Sequence, residues 1–204
     1  MDQFKTFTGV VAGVDRANID TDAIIPKEHL KSIKRTGFGG ALFSDWRYND
    51  DGSEKPDFVL NQPENRNAEI LVTRNNCGCG SSREHAVWAV AQFGFKAVIA
   101  PRREDTPGFA DIFRNNCGKN GLLTIELSED QVDEIFQTLE QEPGVKGTVD
   151  LENQQVTLHA ASGERIYPFE ISADLKTKLL EGLDDIALTL QYEDDISAYE
   201  AAHA

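Results

Sequence analysis

The sequence predicts an α/β fold with a parallel βαβαβ portion followed by additional antiparallel strands. Apolar, β-branched runs alternate with helical patterns between residues 69 and 125, which is typical of parallel strands joined by right-handed crossovers. Three further strand patterns, separated by turn residues, follow from residue 147 onward. The chain has 204 residues, of which 40% are hydrophobic and 27% charged, enough to bury a core. Because no repeat, low-complexity stretch or clear linker interrupts it, we expect one domain over residues 1–204.

The first elements are a strand and a turn-rich loop. The apolar run Phe7–Val14 predicts the strand. The loop over residues 15–22 ends in Asn18-Ile19-Asp20-Thr21-Asp22, whose carboxylates either close an Asx-turn or orient an arginine or a serine in a site. The residues alone favour the turn. Pro26 suits the first turn of a short helix that we expect to continue to about Ile33.

Residues 31–48 mix glycine, aromatic and basic side chains and allow two interpretations. Glycine hinges beside apolar and cationic groups suit a loop that closes over a ligand. The same aromatic side chains also suit an ordinary loop that fills the core. Residues 49–68 predict a connection with a short apolar piece at 58–60. We expect residues 31–60 to be mobile in the isolated chain, because a loop built to close over a ligand has little to pack against.

From residue 69 the elements become regular. The pattern predicts three strands and two helices, over Ile70–Thr73, Ala97–Ala100, Leu122–Ile125, Ser82–Phe93 and Phe109–Asn115. In parallel sheets, ligands bind beyond the carboxyl ends of the strands. We expect the turn at residues 75–84 to lie at this edge, together with loops at 101–103 and 115–118.

The second half begins with an amphipathic helix that starts at Ser128. Its apolar positions recur at helical spacing and are expected to face the core: Val132, Ile135, Phe136 and Leu139. Three antiparallel strands are then predicted over residues 147–151, 155–160 and 165–169, followed by a helix over 172–180. Residues 183–204 are acidic and form a predicted C-terminal extension.

The turn after the first parallel strand concentrates the residues that carry chemistry. It reads Asn75-Asn76-Cys77-Gly78-Cys79-Gly80-Ser81-Ser82-Arg83-Glu84-His85-Ala86. Glycines permit a tight bend, a helix N-terminus attracts anions, and Arg83 offers a planar guanidinium for a carboxylate or phosphate. Alternatively, Ser81 and Glu84 form a capping box, and Arg83 is a surface charge. A cap alone does not require two glycines, which favours an anion site.

The charge of the chain restricts its partners. A formal net charge of −15 argues against nucleic acid and anionic membrane surfaces, whose charges would repel it. Small anionic substrates are still allowed, because a local basic pocket is enough to bind them. Residues 1–5 lack the apolar core of a signal peptide, and no apolar run approaches the length of a membrane helix. The sequence predicts a cytoplasmic protein.

The cysteines do not form a familiar framework. Cys77, Cys79 and Cys117 are odd in number, which makes structural disulfides unfavourable. They are one fewer than a self-contained four-cysteine cluster or zinc site requires, and the histidines show no metal spacing. We therefore expect no metal bound by this chain alone. A redox or regulatory role for Cys77 and Cys79 is a rival hypothesis that requires a lowered thiol pKa.

Motifs spread along the chain resemble one family. The runs Gly78–Ala86, Asn18–Asp22 and Ile25-Pro26 resemble the swivel domain of the aconitase superfamily, as does the stretch from Phe109 to Leu123. A chain of this length with a loop ending in Phe43-Ser44-Asp45-Trp46-Arg47-Tyr48 is similar to the small subunits of 3-isopropylmalate dehydratase. The resemblance covers roughly residues 4–190. It departs at residue 77, where the family commonly has an aromatic residue, and this departure concerns packing beside the motif.

The resemblance implies an aconitase-like swivelling β/β/α domain in a hydro-lyase of leucine biosynthesis. This enzyme interconverts 2-isopropylmalate and 3-isopropylmalate through 2-isopropylmaleate. The implied partner is a large subunit, in a heterodimer or higher heteromer, which holds a [4Fe–4S] cluster that binds the leaving or entering hydroxyl. Residues 31–60 become a substrate-recognition region. Sister dehydratases acting on citramalate, dimethylmalate or homoaconitate are the closer alternative, and the 31–48 loop favours isopropylmalate.

The resemblance also implies roles for individual residues. Ser81 matches the catalytic serine, a base whose alkoxide the helix N-terminus and Arg83 would stabilise. Arg83 would clamp a substrate carboxylate, with Ser82 as a second donor and Asp22 orienting the site groups. The segment expected to contact the isopropyl group comprises Gly37, Phe38, Gly39 and Leu42. A rival outside the family is a stand-alone module that binds a phosphate or nucleotide at the 78–83 turn without a partner.

Overall fold

The computed structural model describes residues 1–31 and 35–203, which form one mixed sheet with helices on its faces. The strands are β1 Phe7–Val14, β2 Ala68–Thr73, β3 Ala97–Pro101, β4 Leu123–Leu127, β5 Lys146–Asp150, β6 Gln155–Ala160 and β7 Gly163–Pro168. The helices are α1 Thr21–Ile24, α2 Ser44–Arg47, α3 Glu84–Phe93, α4 Asp111–Lys119, α5 Glu129–Gln141, α6 Ala173–Glu181, α7 Asp185–Leu190 and α8 Glu193–His203. Short 3₁₀ turns lie at Lys27–Lys31, Gly39–Ala41, Val59–Asn61 and Pro63–Asn65.

Strand β1 divides the sheet into a parallel and an antiparallel half. The strand order is β4-β3-β2-β1-β5-β6-β7. On one side β1 pairs in parallel with β2, which continues in parallel to β3 and β4. On the other side β1 pairs antiparallel with β5, and β6 and β7 follow antiparallel. The predicted parallel βαβαβ portion and the additional antiparallel strands are confirmed.

Both faces of the parallel half are buried, as expected for strands joined by helical crossovers. Leu71 of β2 packs in one hydrophobic cluster, which includes the buried face of α3. Its neighbours Ile70 and Val72 point to the opposite face, because successive side chains of a strand alternate. There they join the predicted inward face of α5, where Val132, Ile135 and Phe136 are buried and Leu139 packs at the margin. Ser128 caps α5 with a full capping box, which confirms the predicted start of this helix.

One predicted loop is a helix. The sequence placed a helix over 109–115 and a loop at 115–118, but α4 begins at Asp111 and continues to Lys119. The prediction was wrong because the Asn-Cys-Gly composition suggested a turn, whereas Cys117 is completely buried against the sheet. Residues 115–118 therefore lie at the end of a helix that has run back from the carboxyl edge, and they do not belong to that edge.

The loop over 15–22 also contains more regular structure than predicted. Asp20 caps α1 by accepting a hydrogen bond from the Ala23 N–H at 2.7 Å. The helix predicted after Pro26 is a 3₁₀ turn over Lys27–Lys31, and the rest of it, to Ile33, lies outside the described residues.

Apolar side chains of the described part of the 31–60 region pack into the core, whereas residues 49–54 are exposed. Phe38, Leu42, Phe43 and Leu60 are all 3% exposed or less. Of the two interpretations, the arrangement favours the loop whose aromatic side chains fill the core. The mobility of this region in the isolated chain stays a prediction.

The C-terminal extension differs from the rest of the chain. None of the described residues of α7 and α8 is buried. Large apolar side chains are exposed there, including Ile186 and Tyr199. Among residues 1–31 and 35–203, no helix has the length and apolar character needed to cross a bilayer.

Candidate functional site

Three chain segments continue side by side beyond the carboxyl ends of β1, β2 and β3. We call residues 18–21, 75–79 and 107–110 the edge ladder. Its middle segment forms main-chain hydrogen bonds with the segments on both sides. The Gly78 N–H donates to the Ile19 carbonyl at 2.7 Å, and the Cys77 N–H donates to the Gly108 carbonyl at 2.9 Å. The ladder therefore fixes the turn that leads to Ser81 by backbone contacts.

Positions 78 and 80 of this turn favour glycine for different reasons. Gly78 has φ +77°, and a Cβ there would lie 2.1 Å from Phe113 Cγ, which requires glycine both for conformation and for space. Gly80 has φ +92°, but a Cβ there would meet its nearest atoms at 3.5 Å. Two asparagines, Asn18 and Asn76, also adopt left-handed conformations, and their side chains bond to each other at 2.8 Å.

Ser81 follows Gly80 at the exposed end of the turn. Its N–H donates to Thr21 Oγ1 at 3.1 Å, and its carbonyl accepts from the Arg83 N–H at 2.8 Å. Helix α3 begins at Glu84 with Arg83 as its N-cap residue, and no described side chain caps it. The alternative capping box between Ser81 and Glu84 is therefore wrong, because the helix starts too late for Ser81 to be its cap. The predicted start of this helix at Ser82 moves to Glu84 for the same reason.

Arg83 and Asp22 form an ion pair between the two loops. Arg83 Nη1 donates to Asp22 Oδ1, with 20% of the arginine side chain and 45% of the aspartate side chain exposed. A guanidinium has five N–H donors, so a single bond to Asp22 leaves others for a ligand. The structure thus brings together Ser81, Ser82, Arg83 and Asp22, four of the residues singled out from the sequence.

The segment from Gly37 to Leu42 lies against helix α3. The Phe38 N–H donates to Gln92 Oε1 at 2.9 Å, and a Cβ on Gly39 would lie 2.5 Å from the Gln92 carbonyl oxygen. Phe38 and Leu42 are 3% and 0% exposed, whereas Gly37 is exposed. A ligand contact from the Phe38 or Leu42 side chain would require this segment to rearrange.

Two residues have roles that the sequence reasoning did not assign. Thr21, 2% exposed, holds the Ser81 N–H. Asn120 joins α3 to the end of α4: its Oδ1 accepts from Trp88 Nε1, and its Nδ2 donates to Glu84 Oε1, each at 3.0 Å. Both lie within motifs quoted above, but only the tertiary contacts show what their side chains do.

The three cysteine thiols are free and are buried or partly buried. Burial raises the pKa of Cys77 to about 12 and also raises that of Cys117. The partly buried Cys79 has its pKa raised by burial and by nearby Asp20. Over the described ranges, no group of three or more His, Cys, Asp and Glu side chains is placed to hold a metal ion. The lowered pKa that the redox hypothesis requires is absent among these thiols.

Family models account for most of the chain. Residues 1–130 match the aconitase C-terminal domain, and residues 133–173 match the LeuD_N model. Residues 185–204 match the C-terminal domain of the 3-isopropylmalate dehydratase small subunit.

Individual relatives agree over nearly the full length. A 3-isopropylmalate dehydratase small subunit from Desulforapulum autotrophicum is 54% identical over 205 residues, covering 98% of this chain and 95% of the relative. One from Brevibacillus brevis is 53% identical over 201 residues, covering 98% and 99%. The crystal structure of a 3-isopropylmalate dehydratase from Methanocaldococcus jannaschii shares the fold, with a TM-score of 0.64, 23% identity, and coverage of 96% and 99%. The predicted resemblance is confirmed, and the chain belongs to the family of 3-isopropylmalate dehydratase small subunits.

Proposed function

We propose that Ser81, Arg83 and Asp22 are the part of the dehydratase active site that this chain contributes. The chain is the small subunit of a hydro-lyase that interconverts 2-isopropylmalate and 3-isopropylmalate through 2-isopropylmaleate in leucine biosynthesis. The observation that carries the proposed site is the Arg83–Asp22 ion pair beside Ser81, on a turn fixed by the edge ladder.

Ser81 is proposed to take the proton from the carbon next to a substrate carboxylate. A serine hydroxyl is a weak base, so its alkoxide needs stabilisation by nearby positive charge. Arg83 and the start of α3 at Glu84 follow closely in the chain and supply it. Since no capping bond engages Ser81, its exposed hydroxyl is free for this task.

Arg83 is proposed to bind the substrate carboxylate adjacent to that carbon. Asp22 holds the guanidinium from one side, which limits its rotation and directs its remaining donors. Ser82 is exposed next to it and is proposed as a second donor to the same carboxylate.

The region from Gly37 to Leu42 is proposed to contact the isopropyl group. The exposed backbone at Gly37 is available in the present arrangement. Contacts from Phe38, Gly39 or Leu42 would follow a shift of the segment away from α3, which we propose accompanies assembly.

The enzyme in this proposal also requires a large subunit. The family of small subunits implies such a partner, and we propose a heterodimer or a higher heteromer in the cytoplasm. We propose that a [4Fe–4S] cluster is held by the partner, where it would supply a Lewis acid for the substrate hydroxyl, since the cysteines of this chain are buried or partly buried without further ligands nearby among the described residues. The single domain over residues 1–204, with its extension from residue 183, stays a prediction.

The test is turnover of 2-isopropylmalate, followed by the absorbance of the unsaturated intermediate. The chain is assayed alone, and then with a cluster-loaded large subunit assembled anaerobically. We expect activity only in the mixture. Ser81→Ala should lower the rate about 10³-fold or more while the variant still folds and associates.

A matched control is Ser162→Ala, an exposed serine in the turn between β6 and β7. This variant should keep full activity. Retention of activity by Ser81→Ala would refute the assigned base. Inactivity of the wild-type mixture with isopropylmalate, but turnover of citramalate, dimethylmalate or homoaconitate, would redirect the assignment to a sister dehydratase.

A further inference from the structure

We propose that Thr21 is a positioning residue for Ser81: it holds both ends of the bend at Gly80 and so fixes where the serine lies. This inference deepens the proposed function and rests on Ser81 being the base. Thr21 is not charged and does not belong to the set Ser81, Ser82, Arg83 and Asp22 discussed above.

The geometry consists of two hydrogen bonds from one residue. The Thr21 N–H donates to the Cys79 carbonyl at 2.9 Å, just before Gly80. The Thr21 Oγ1 accepts from the Ser81 N–H at 3.1 Å, just after Gly80. Thr21 therefore spans a glycine with φ +92°, the residue whose torsions set the direction in which the chain leaves the turn.

Thr21 is also among the nearest neighbours of the bend. A Cβ at Gly80 would meet Asp20 Cβ and Thr21 Oγ1 at 3.5 Å, an ordinary van der Waals distance, so the bend is not fixed by a steric conflict of the kind that Phe113 imposes at Gly78. Thr21 itself is firmly held: it is 2% exposed and is the first residue of α1, and its carbonyl accepts from the Ile25 N–H at 3.1 Å. A buried, anchored hydroxyl that bonds to the residue after a glycine bend can restrain where that residue lies.

The neighbouring residues Thr21 and Asp22 restrain different parts of the proposed site. Thr21 restrains the main chain at Ser81, whereas Asp22 restrains the side chain of Arg83. Loss of the first should misplace the base, and loss of the second should weaken carboxylate binding. A misplacement of about 1 Å costs about 100-fold in rate when geometry is critical.

The experiment compares Thr21→Val, Thr21→Ser and Asp22→Asn in the enzyme assembled with its cluster-loaded large subunit. Valine keeps the shape of threonine and removes the hydroxyl, while serine keeps the hydroxyl. We expect Thr21→Val to lower kcat about 10- to 100-fold with KM little changed, and Thr21→Ser to stay close to wild type. Asp22→Asn should mainly raise KM. Circular dichroism and measured association with the partner establish that each variant folds and assembles.

A double variant separates positioning from general damage. If Thr21 acts through Ser81, Thr21→Val should have no further effect on the residual rate of Ser81→Ala. An additive loss would overturn the inference, as would full activity of Thr21→Val or equal loss in Thr21→Ser. If Thr21→Val does not fold, Thr21→Ala and Thr21→Ser provide the same comparison. Failure of the proposed function has a different signature, namely an active Ser81→Ala.

Discussion

The turn at residues 75–81 and the segment at residues 35–47 both contribute to the same hydrophobic cluster, but different contacts hold each of them in place. The turn is fixed by main-chain hydrogen bonds to the neighbouring segments of the edge ladder, and its last residues are exposed. The segment is fixed by side chains that enter the core, above all Leu42 and Phe43. Both regions contain glycines, namely Gly78 and Gly80 in the turn and Gly37, Gly39 and Gly40 in the segment.

The contrast indicates at which positions a substitution should affect catalysis and at which it should affect the stability of the fold. Because the turn is held by its backbone, the side chains of Ser81 and Ser82 are not needed to stabilise it. A segment held by buried side chains links every change at those positions to the free energy of unfolding. Catalytic function should therefore respond to substitutions of the exposed side chains of the turn, and stability to substitutions of the buried side chains of the segment.

The largest expected effect is a loss of stability caused by a substitution in the turn at Gly78, where the backbone itself depends on glycine. Gly78→Ala should lower the free energy of unfolding by about 4 kcal/mol, because the new Cβ meets the Phe113 ring at a left-handed position. Gly40→Ala is the matched control from the segment, where a Cβ has no neighbour within 4 Å among the described residues, and should change the free energy of unfolding by less than about 0.5 kcal/mol. Denaturant unfolding measures both, and equal effects would contradict the assigned role of Gly78.

A substitution in the core tests how strongly the segment at residues 35–47 contributes to stability. Leu42→Ala removes a completely buried side chain and should destabilise the chain by about 3 kcal/mol. Leu190→Ala, at a side chain that is 56% exposed on α7, should change stability by less than about 0.5 kcal/mol. Thermal unfolding of the isolated chain measures the pair. A small effect of Leu42→Ala would mean that the segment leaves the core in solution.

A smaller effect tests whether the turn is independent of its side chains. Ser81→Ala should leave the free energy of unfolding within about 0.5 kcal/mol of wild type, because Ser81 caps no helix. Ser128→Ala removes a real capping box and should cost about 1 kcal/mol. Chemical denaturation of both variants gives the comparison, and a larger loss in Ser81→Ala would show that its side chain has a structural role.

The smallest effect concerns the thiols of the turn. Because burial raises the pKa of Cys77 to about 12, it has almost no thiolate near neutral pH. The pKa of Cys79 is raised too, so iodoacetamide under mildly alkaline conditions should modify the native chain slowly, and at Cys79 first. Peptide mass spectrometry measures the site and the rate. Fast labelling of Cys77 would contradict its burial and revive the redox hypothesis.

The sequence was sufficient for most of the regular elements and for singling out the residues of the proposed site. The alternation of strands and helices predicted the parallel half, and the spacing of Val132 and Ile135 predicted the inward face of α5. The 78–83 turn and the carboxylate at Asp22 were recognised from residue type and motif, and the Arg83–Asp22 ion pair joins them.

What could not be read from the sequence depends on tertiary contacts. Residues 115–118 look like a turn, but the burial of Cys117 extends α4 through them. Ser81 and Glu84 have the spacing of a capping box, but the Ser81 N–H bonds to Thr21 in another loop and α3 begins only at Glu84. The role of Thr21 exists only because its loop lies beside the turn, at a distance in sequence that no local pattern reports.

The central position of β1 has a consequence for biosynthesis. One side of this strand can pair with β2 early, but the other waits for β5, since Phe7 pairs with Val149 and Val10 with Lys146. A nascent chain that has not yet reached Lys146 exposes an unpaired strand edge in the middle of its future sheet. Such edges are templates for association with other chains. Translation that terminates prematurely within α5 would therefore release an aggregation-prone product, although every residue of the edge ladder has already been made.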